Sequence, residues 1–213
     1  MSSDSREKLI AELAQARSQV RELEERLAAL NAGEKWQAKG FYASYYATTG
    51  FLLGLLGALA SLLFNVVGSV LWSAVTGQSQ HVLRLIQVYL TFPMGESALE
   101  IDSGLTLAVG CSLYILTGMI YGVVFQMGLA KFTADASLKR RLIVASGFAL
   151  VLWLVNFYVL LRYLQPLLLD GNWIVELVPW WVAALTHLVF GWTMALVYPW
   201  GEYIPYRTQS EAQ

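Results

Sequence analysis

The stretch WWVAALTHLVFGWTMALVYPW, residues 180 to 200, is apolar enough to cross a bilayer, yet it carries His187 well inside. An imidazole at that depth has three uses: it can ligate a haem iron, relay a proton, or fasten helices by hydrogen bonds. A b-type haem takes two axial ligands. The only other histidine, His81, falls in a loop, so a haem cofactor would need its second ligand from another subunit. Proton-coupled transporters commonly use an intramembrane carboxylate, and no Asp or Glu lies within the apolar segments. A neutral imidazole bonded to an Asn, a Tyr or a backbone carbonyl is the simplest reading. His187 is thus the one cofactor-binding candidate, and a haem the one cofactor to weigh.

Other chemistry is sparse. Cys111 is the single cysteine and sits in an apolar run, so it can form neither an internal disulfide nor a cysteine metal cluster. Glu96, Glu100 and Asp102 lie close together and could hold a weakly bound cation; more simply they form the acidic flank of a span. There is no glycine-rich phosphate loop, no His-Glu-x-x-His and no Gly-x-Ser-x-Gly. The expectation is a protein that is not an enzyme, with no catalytic residue and no metal site.

What must position His187 is a set of membrane helices. The chain has 213 residues, 57% of them hydrophobic and only 14% charged, against roughly 25% charged in an average soluble domain. Seven of the 14 Lys and Arg residues fall within the first 39 positions. Net charge is −1, which gives no general attraction to nucleic acid. Charge-free intervals run between Lys39 and Arg84, Asp102 and Lys131, Arg141 and Arg162, and Glu176 and Glu202. Each holds the roughly 20 apolar residues that a spanning helix needs. The fold expected is all-α: a four-helix transmembrane bundle with spans near 48–72, 104–128, 142–163 and 179–199. A cytoplasmic coiled-coil arm (1–33), a juxtamembrane linker (34–47) and a cytoplasmic tail (201–213) flank a membrane domain of residues 48–200. No cleavable leader is visible, so the first apolar helix would direct insertion.

Lys35, Lys39, Lys131, Lys139, Arg140, Arg141 and Arg207 all fall on one side of such a bundle. Glu96, Glu100, Asp102, Asp170 and Glu176 fall on the other, with Arg84 as its main basic residue. The positive-inside rule therefore expects both termini in the cytoplasm, with Arg162 snorkelling at the outer end of span three. Aromatic residues gather at the rims: Trp36, Phe41, Tyr42, Tyr45 and Tyr46 before span one, Trp173, Trp180 and Trp181 before span four, and Tyr198, Trp200, Tyr203 and Tyr206 after it. The loop HVLRLIQVYLTFP reads as a short amphipathic helix on the outer surface, with Val82, Leu85, Ile86 and Tyr89 at helical spacing and Pro93 as its stop. QPLLLDGNWIVELVP is similar, with an Asp-Gly-Asn turn. The two would form a lid or a docking surface.

Helices in lipid associate through small residues and hydrogen bonds. Span one carries Gly50, Gly54 and Ala58 on one stripe and Gly57, Ser61, Asn65 and Ser69 on another. Gly110, Tyr114, Gly118 and Gly122 share a face of span two; Ala183, His187, Gly191 and Ala195 share one of span four. At about 1.5 Å per residue, His187 lies about 12 Å and Tyr114 about 15 Å below the outer surface. Asn65 and Asn156 fall in the outer halves of their spans, so a polar intramembrane cluster of Asn65, Tyr114, Asn156 and His187 is expected. SLLFNVV also resembles LWLVNFY, and LYILTGMIYGVVF resembles THLVFGWTMALVY. These pairings align Asn65 with Asn156, Gly118 with Gly191 and Tyr114 with His187, and hint at a same-direction duplication.

In the amino-terminal arm, Leu9, Leu13, Ala16, Val20, Leu23, Leu27 and Leu30 recur at alternating spacings of four and three. That is a coiled-coil heptad, with Glu12 and Arg17 on facing flanks and Gly33 as the stop. About three heptads are marginal alone, so residues 6–31 imply a homo-oligomer or a partner coiled coil.

The run NFYVLLRYLQPLLLDGNWIVELVPWWVAALTHLVFGWTMALVYPWGEY, with SLLFNVVGSVL and VYLTFPMGE, resembles an uncharacterised group of bacterial four-span membrane proteins. The resemblance covers most of the membrane body and carries no catalytic motif. It implies the bacterial inner membrane and an association with respiratory complexes. Three functions follow as expectations. The first is a non-enzymatic accessory, scaffolding or assembly subunit of a larger membrane complex, whose partners are lipid and other membrane subunits. The second is a small transporter or channel built on the Asn/Tyr/His cluster. The third is a haem-binding redox subunit.

Overall fold

The computed structural model describes residues 3–31, 41–77, 81–134, 136–169 and 171–203, with side chains over 12–26 and from 43 onward. It divides into two compact units, Met1–Gly40 and Phe41–Gln213.

The first unit is one helix, α1 (Ser3–Asn31). Its sequence is rich in Ala, Leu, Glu, Gln and Arg, the strong helix formers. Its charged side chains pair one turn apart, Arg26 with Glu22 at 2.6 Å and Arg21 with Glu25 at 3.6 Å. Such exposed pairs stabilise a helix by only a few tenths of a kcal/mol, on the order of 0.3–0.5 each. The apolar row is uncovered: Leu13 is 54%, Val20 55% and Leu23 64% exposed, and Ala16 is exposed too. The side chains of Leu9, Leu27 and Leu30, and the expected stop at Gly33, lie outside the described residues.

The second unit is all-helical. In order it contains α2 (Phe41–Thr76), α3 (Arg84–Met94), α4 (Gly104–Thr133) and α5 (Leu138–Leu154). A π-helical stretch, Val155–Leu161, joins α5 to α6 (Arg162–Leu169), and the short α7 (Trp173–Leu177) leads to α8 (Trp180–Val197). Among the described residues, four helices are long and apolar enough to cross a membrane: Ala43–Thr76, Gly104–Thr133, Leu138–Leu169 and Trp180–Gly201. This is the architecture of a multi-pass membrane protein.

The helices outrun the apolar segments read from the sequence, because backbone hydrogen bonding continues past the last apolar residue. Residues 41–47, expected as linker, belong to α2. Span three continues to Leu169, so Arg162 lies within the helix, exposed, rather than at its end. The linker residues 34–40, with Lys35, Trp36 and Lys39, lie outside the described residues; so do Asp170 and the tail from 204, with Tyr206 and Arg207. The side chains of Phe41 and Tyr42 are likewise not described.

α2 packs along α4, α5 along α8, and α2 also along α8. The α2–α4 seam is backbone against backbone. A methyl group on Gly54 would lie 2.7 Å from the Gly118 carbonyl oxygen and 3.0 Å from the Gly122 Cα; one on Gly122 would collide with the Gly50 carbonyl oxygen. Below and beside this seam sit Phe125, Leu129, Ala145, Ala149, Met194 and Ala195, all buried.

α3 does more than rest on the end of the bundle. Ile86 and Leu90 press against Gly110 of α4. Two polar residues of α3 are buried as well: Gln87, donating to the Ile101 carbonyl at 2.9 Å, and Thr91, accepting from Gln165 Nε2 at 3.0 Å. Gln165 Oε1 in turn accepts from the Ile174 amide at 3.1 Å. One glutamine of span three thus ties α3 and α7 together. The helix outlasts Pro93 by one residue and turns at Gly95, whose φ of 69° suits glycine.

Candidate functional site

The four polar residues singled out along the spans fall into two hydrogen-bonded groups. In the first, Asn65 of α2 donates through Nδ2 to the Ser61 carbonyl at 2.8 Å and to Thr186 Oγ1 of α8 at 3.0 Å. Ser61 Oγ donates to the Ala58 carbonyl at 3.0 Å. Its proton is then committed, so the 2.9 Å contact with Tyr114 is the phenol donating to Ser61 Oγ. Asn65 and Tyr114 therefore share Ser61 and do not bond each other. This group links α2, α4 and α8.

In the second group, Tyr121 of α4 donates to Asn156 Oδ1 at 2.8 Å. Asn156 Nδ2 lies 3.4 Å from His187 Nε2, a long contact, and His187 Nδ1 lies 2.8 Å from the Ala183 carbonyl. A carbonyl can only accept, so Nδ1 carries the hydrogen. With its oxygen taken by Tyr121, the Asn156 amide can only donate to Nε2. The ring is thus assigned as the neutral Nδ1–H form, its Nε2 lone pair turned to Asn156. This group links α4, span three and α8. His187 thus bonds its own helix firmly and faces Asn156 of span three across the longer contact.

Asn156 lies in the π-helical stretch, where it and its neighbour Phe157 are both buried. A regular helix turns successive residues about 100° apart. The wider π turn lets two consecutive side chains face inward, and such turns recur at functional sites.

Tyr114, Asn156 and His187 all line one cavity of about 540 Å³, with Ser61, Tyr121 and Thr186; Asn65 does not reach it. α3, through Leu85, Val88 and Phe92, and α7 with the residue after it, through Ile174 and Val178, close it at one end. Beside Tyr114, Tyr89 of α3 stands edge-on at 5.7 Å between ring centres. Tyr89 donates at 2.7 Å to Thr117 Oγ1, whose own proton goes to the Leu113 carbonyl.

The other histidine makes its contacts elsewhere. His81 Nδ1 accepts from the Leu83 amide at 3.1 Å, and Nε2 stands 3.8 Å from Asp102. It does not line the cavity, so the two histidines are not brought together as axial ligands. Among the described residues, no group of three or more His, Cys, Asp or Glu could hold a metal ion. Glu96 and Glu100 are exposed beside α3, and Cys111 is a free, partly buried thiol.

Sequence reasoning missed several members. Tyr121 is two helical turns after Tyr114 and so shares its face of α4. Thr186 is next to His187. Ser61 had been noticed only as a small residue. A second polar centre lies where α4, α5 and α8 end together. There the Arg141 guanidinium sits 4.3 Å from the Tyr198 ring centre, a cation–π contact. Gln126 donates to the Tyr198 carbonyl at 3.4 Å. All three residues are buried; the sequence offered Arg141 only as one of four loop cations, with Lys131, Lys139 and Arg140.

Comparison of the chain with protein-family models, with curated proteins and with solved structures finds no match.

Proposed function

We propose that the chain is a non-enzymatic accessory, scaffolding or assembly subunit of a larger complex in the bacterial inner membrane, respiratory by the resemblance noted above. The observation that carries this is α1: a helix of 29 residues that forms its own unit and leaves Leu13, Val20 and Leu23 more than half exposed. Three heptads in water are marginal until the apolar row is covered. A second copy or a partner's helix covers it over residues 6–31. Both termini face the cytoplasm, following the basic loops, and α3 and α7 face outward as the bundle's docking end.

The test is mild detergent extraction of the full chain, then sizing and mass spectrometry of what travels with it. A defined complex, lost on replacing Leu13, Val20 and Leu23 with Asp, supports the reading. Migration as a lone monomer refutes it. For the orientation, a cysteine placed at Lys139 should be labelled by an impermeant reagent only after the cells are opened.

A small transporter is favoured by one observation, the reach of Tyr114, Asn156 and His187 into a shared cavity. In that case His187→Ala would abolish flux in vesicles while the protein still folds. If the variant fails to accumulate, the fastening role of His187 is the better account. A haem-binding role would need a second ligand from a partner chain, and a Soret band in the purified complex decides it.

A further inference from the structure

The cavity has a mouth. Between α4 and span three it is rimmed by Leu113, Leu116, Ile120, Leu160 and Leu164, all exposed although they line it. In a bilayer that mouth opens sideways to lipid. Its volume of about 540 Å³ falls within the roughly 300–1,000 Å³ usual for small-molecule sites. None of its lining residues is Asp, Glu, Lys or Arg, so an ionised group entering it would meet no counter-charge and its desolvation would go uncompensated.

The hydrogen bonds around the cavity decide what it can read. Tyr89, Tyr114 and Tyr121 each spend their one proton on Thr117, Ser61 and Asn156 in turn. Each phenol oxygen keeps acceptor capacity. Among the described residues, the partner of the His187 Nε2 acceptor is Asn156, across a long 3.4 Å contact. The lining is therefore rich in acceptors, with the Asn156 amide as its chief donor.

We propose that this cavity binds an uncharged, membrane-dissolved amphiphile, whose apolar body enters between α4 and span three and whose hydroxyl donates to His187 Nε2 in place of the long contact from Asn156. The hydroxyl belongs either to a lipid alcohol such as a diacylglycerol or to a prenylated hydroquinone; the chemistry read by the site is the same. The site is independent of α1 and of what α1 pairs with.

The test uses the full-length protein in phospholipid nanodiscs and a photoactivatable hexadecanol, beside its methyl ether. The ether keeps the apolar body and loses the donor. The alcohol should label the rim residues Leu116, Ile120, Leu160 and Leu164 at least about fivefold more than the ether, the worth of one hydrogen bond. Leu160→Trp, at an exposed position, should block labelling without lowering thermal stability. His187→Phe should erase the preference for the alcohol. An excess of diacylglycerol or of prenylated hydroquinone should displace the label, and whichever does so names the source. Equal labelling by alcohol and ether overturns the proposal. So does label spread evenly over the lipid-facing leucines, for example Leu52 and Leu63, or displacement by neither competitor.

Discussion

The two long helix pairs of the bundle, α2 with α4 and α5 with α8, meet in matching registers by different means. The alignment that sets Asn65 over Asn156 also sets Ala58 over Ala149 and Gly54 over Ala145, and Gly118 falls over Gly191. In the first pair a methyl on Gly118 would lie 2.5 Å from the Ala58 Cβ, and in the second a methyl on Gly191 would lie 3.1 Å from the Ala149 Cβ. Gly118 meets Gly54, and Gly191 meets the Ala145 carbonyl at 3.0 Å. The polar residues follow suit: Asn65 and Tyr114 share Ser61, while Asn156 and His187 face each other. The first pair closes on bare backbone. The second is held slightly apart, with Phe125 against Gly191 and with span three unwound into a π turn. The cavity lies between the two pairs, lined by residues of all four spans. A shared register therefore permits one seam closed on backbone and one slightly wider, the difference being set by Gly against Ala.

Substitutions can break this comparison. Gly122→Val puts side-chain carbon onto the backbone of Gly50 and Gly54, neither of which can yield without parting the helices. The expected loss is at or above about 3 kcal/mol, read as failure to run as a single species in detergent. Asn156→Ala strips Tyr121 and His187 of a shared partner. Hydrogen bonds between membrane helices average about 0.6 kcal/mol each, so a loss of about 1–2 kcal/mol is expected in a denaturation midpoint. Gly191→Ala meets its neighbours at 3.0–3.1 Å, close enough to require small shifts. It should lose about 1 kcal/mol or less, and a loss as large as that of Gly122→Val would mean that the two seams are equally tight. The smallest effect expected is the coupling between Asn65→Ala and Asn156→Ala. The two groups share no hydrogen bond, so their losses should add to within about 0.5 kcal/mol. A larger coupling in a double-mutant cycle would join the two groups into one.

Much of the bundle could be read from the chain. Charge-free runs of 20 or more residues can satisfy their backbone in lipid only as helices. The glycine stripe of α2 needs a close neighbour, and the faces of Tyr114 and His187 follow from a spacing of four. The division of the polar cluster could not be read. Whether Asn65 meets Tyr114, Thr186 or Asn156 depends on which spans are neighbours, and apolar patterning leaves that open because every span is apolar all round. The burial of Gln87 and Thr91 was also hidden, because only the tertiary structure brings the Ile101 carbonyl to Gln87 and Gln165 to Thr91.

The sequence by itself determined the all-helical architecture, the four stretches long and apolar enough to cross a membrane, and the helical state of the arm. Each follows from the cost of placing charge or unpaired backbone in hydrocarbon, a cost carried residue by residue. Only the tertiary structure decided which helices pair, that span three unwinds around Asn156, and that a cavity is left beside it. Those depend on side-chain shape at contacts between distant segments, where one methyl group separates a closed seam from an open one.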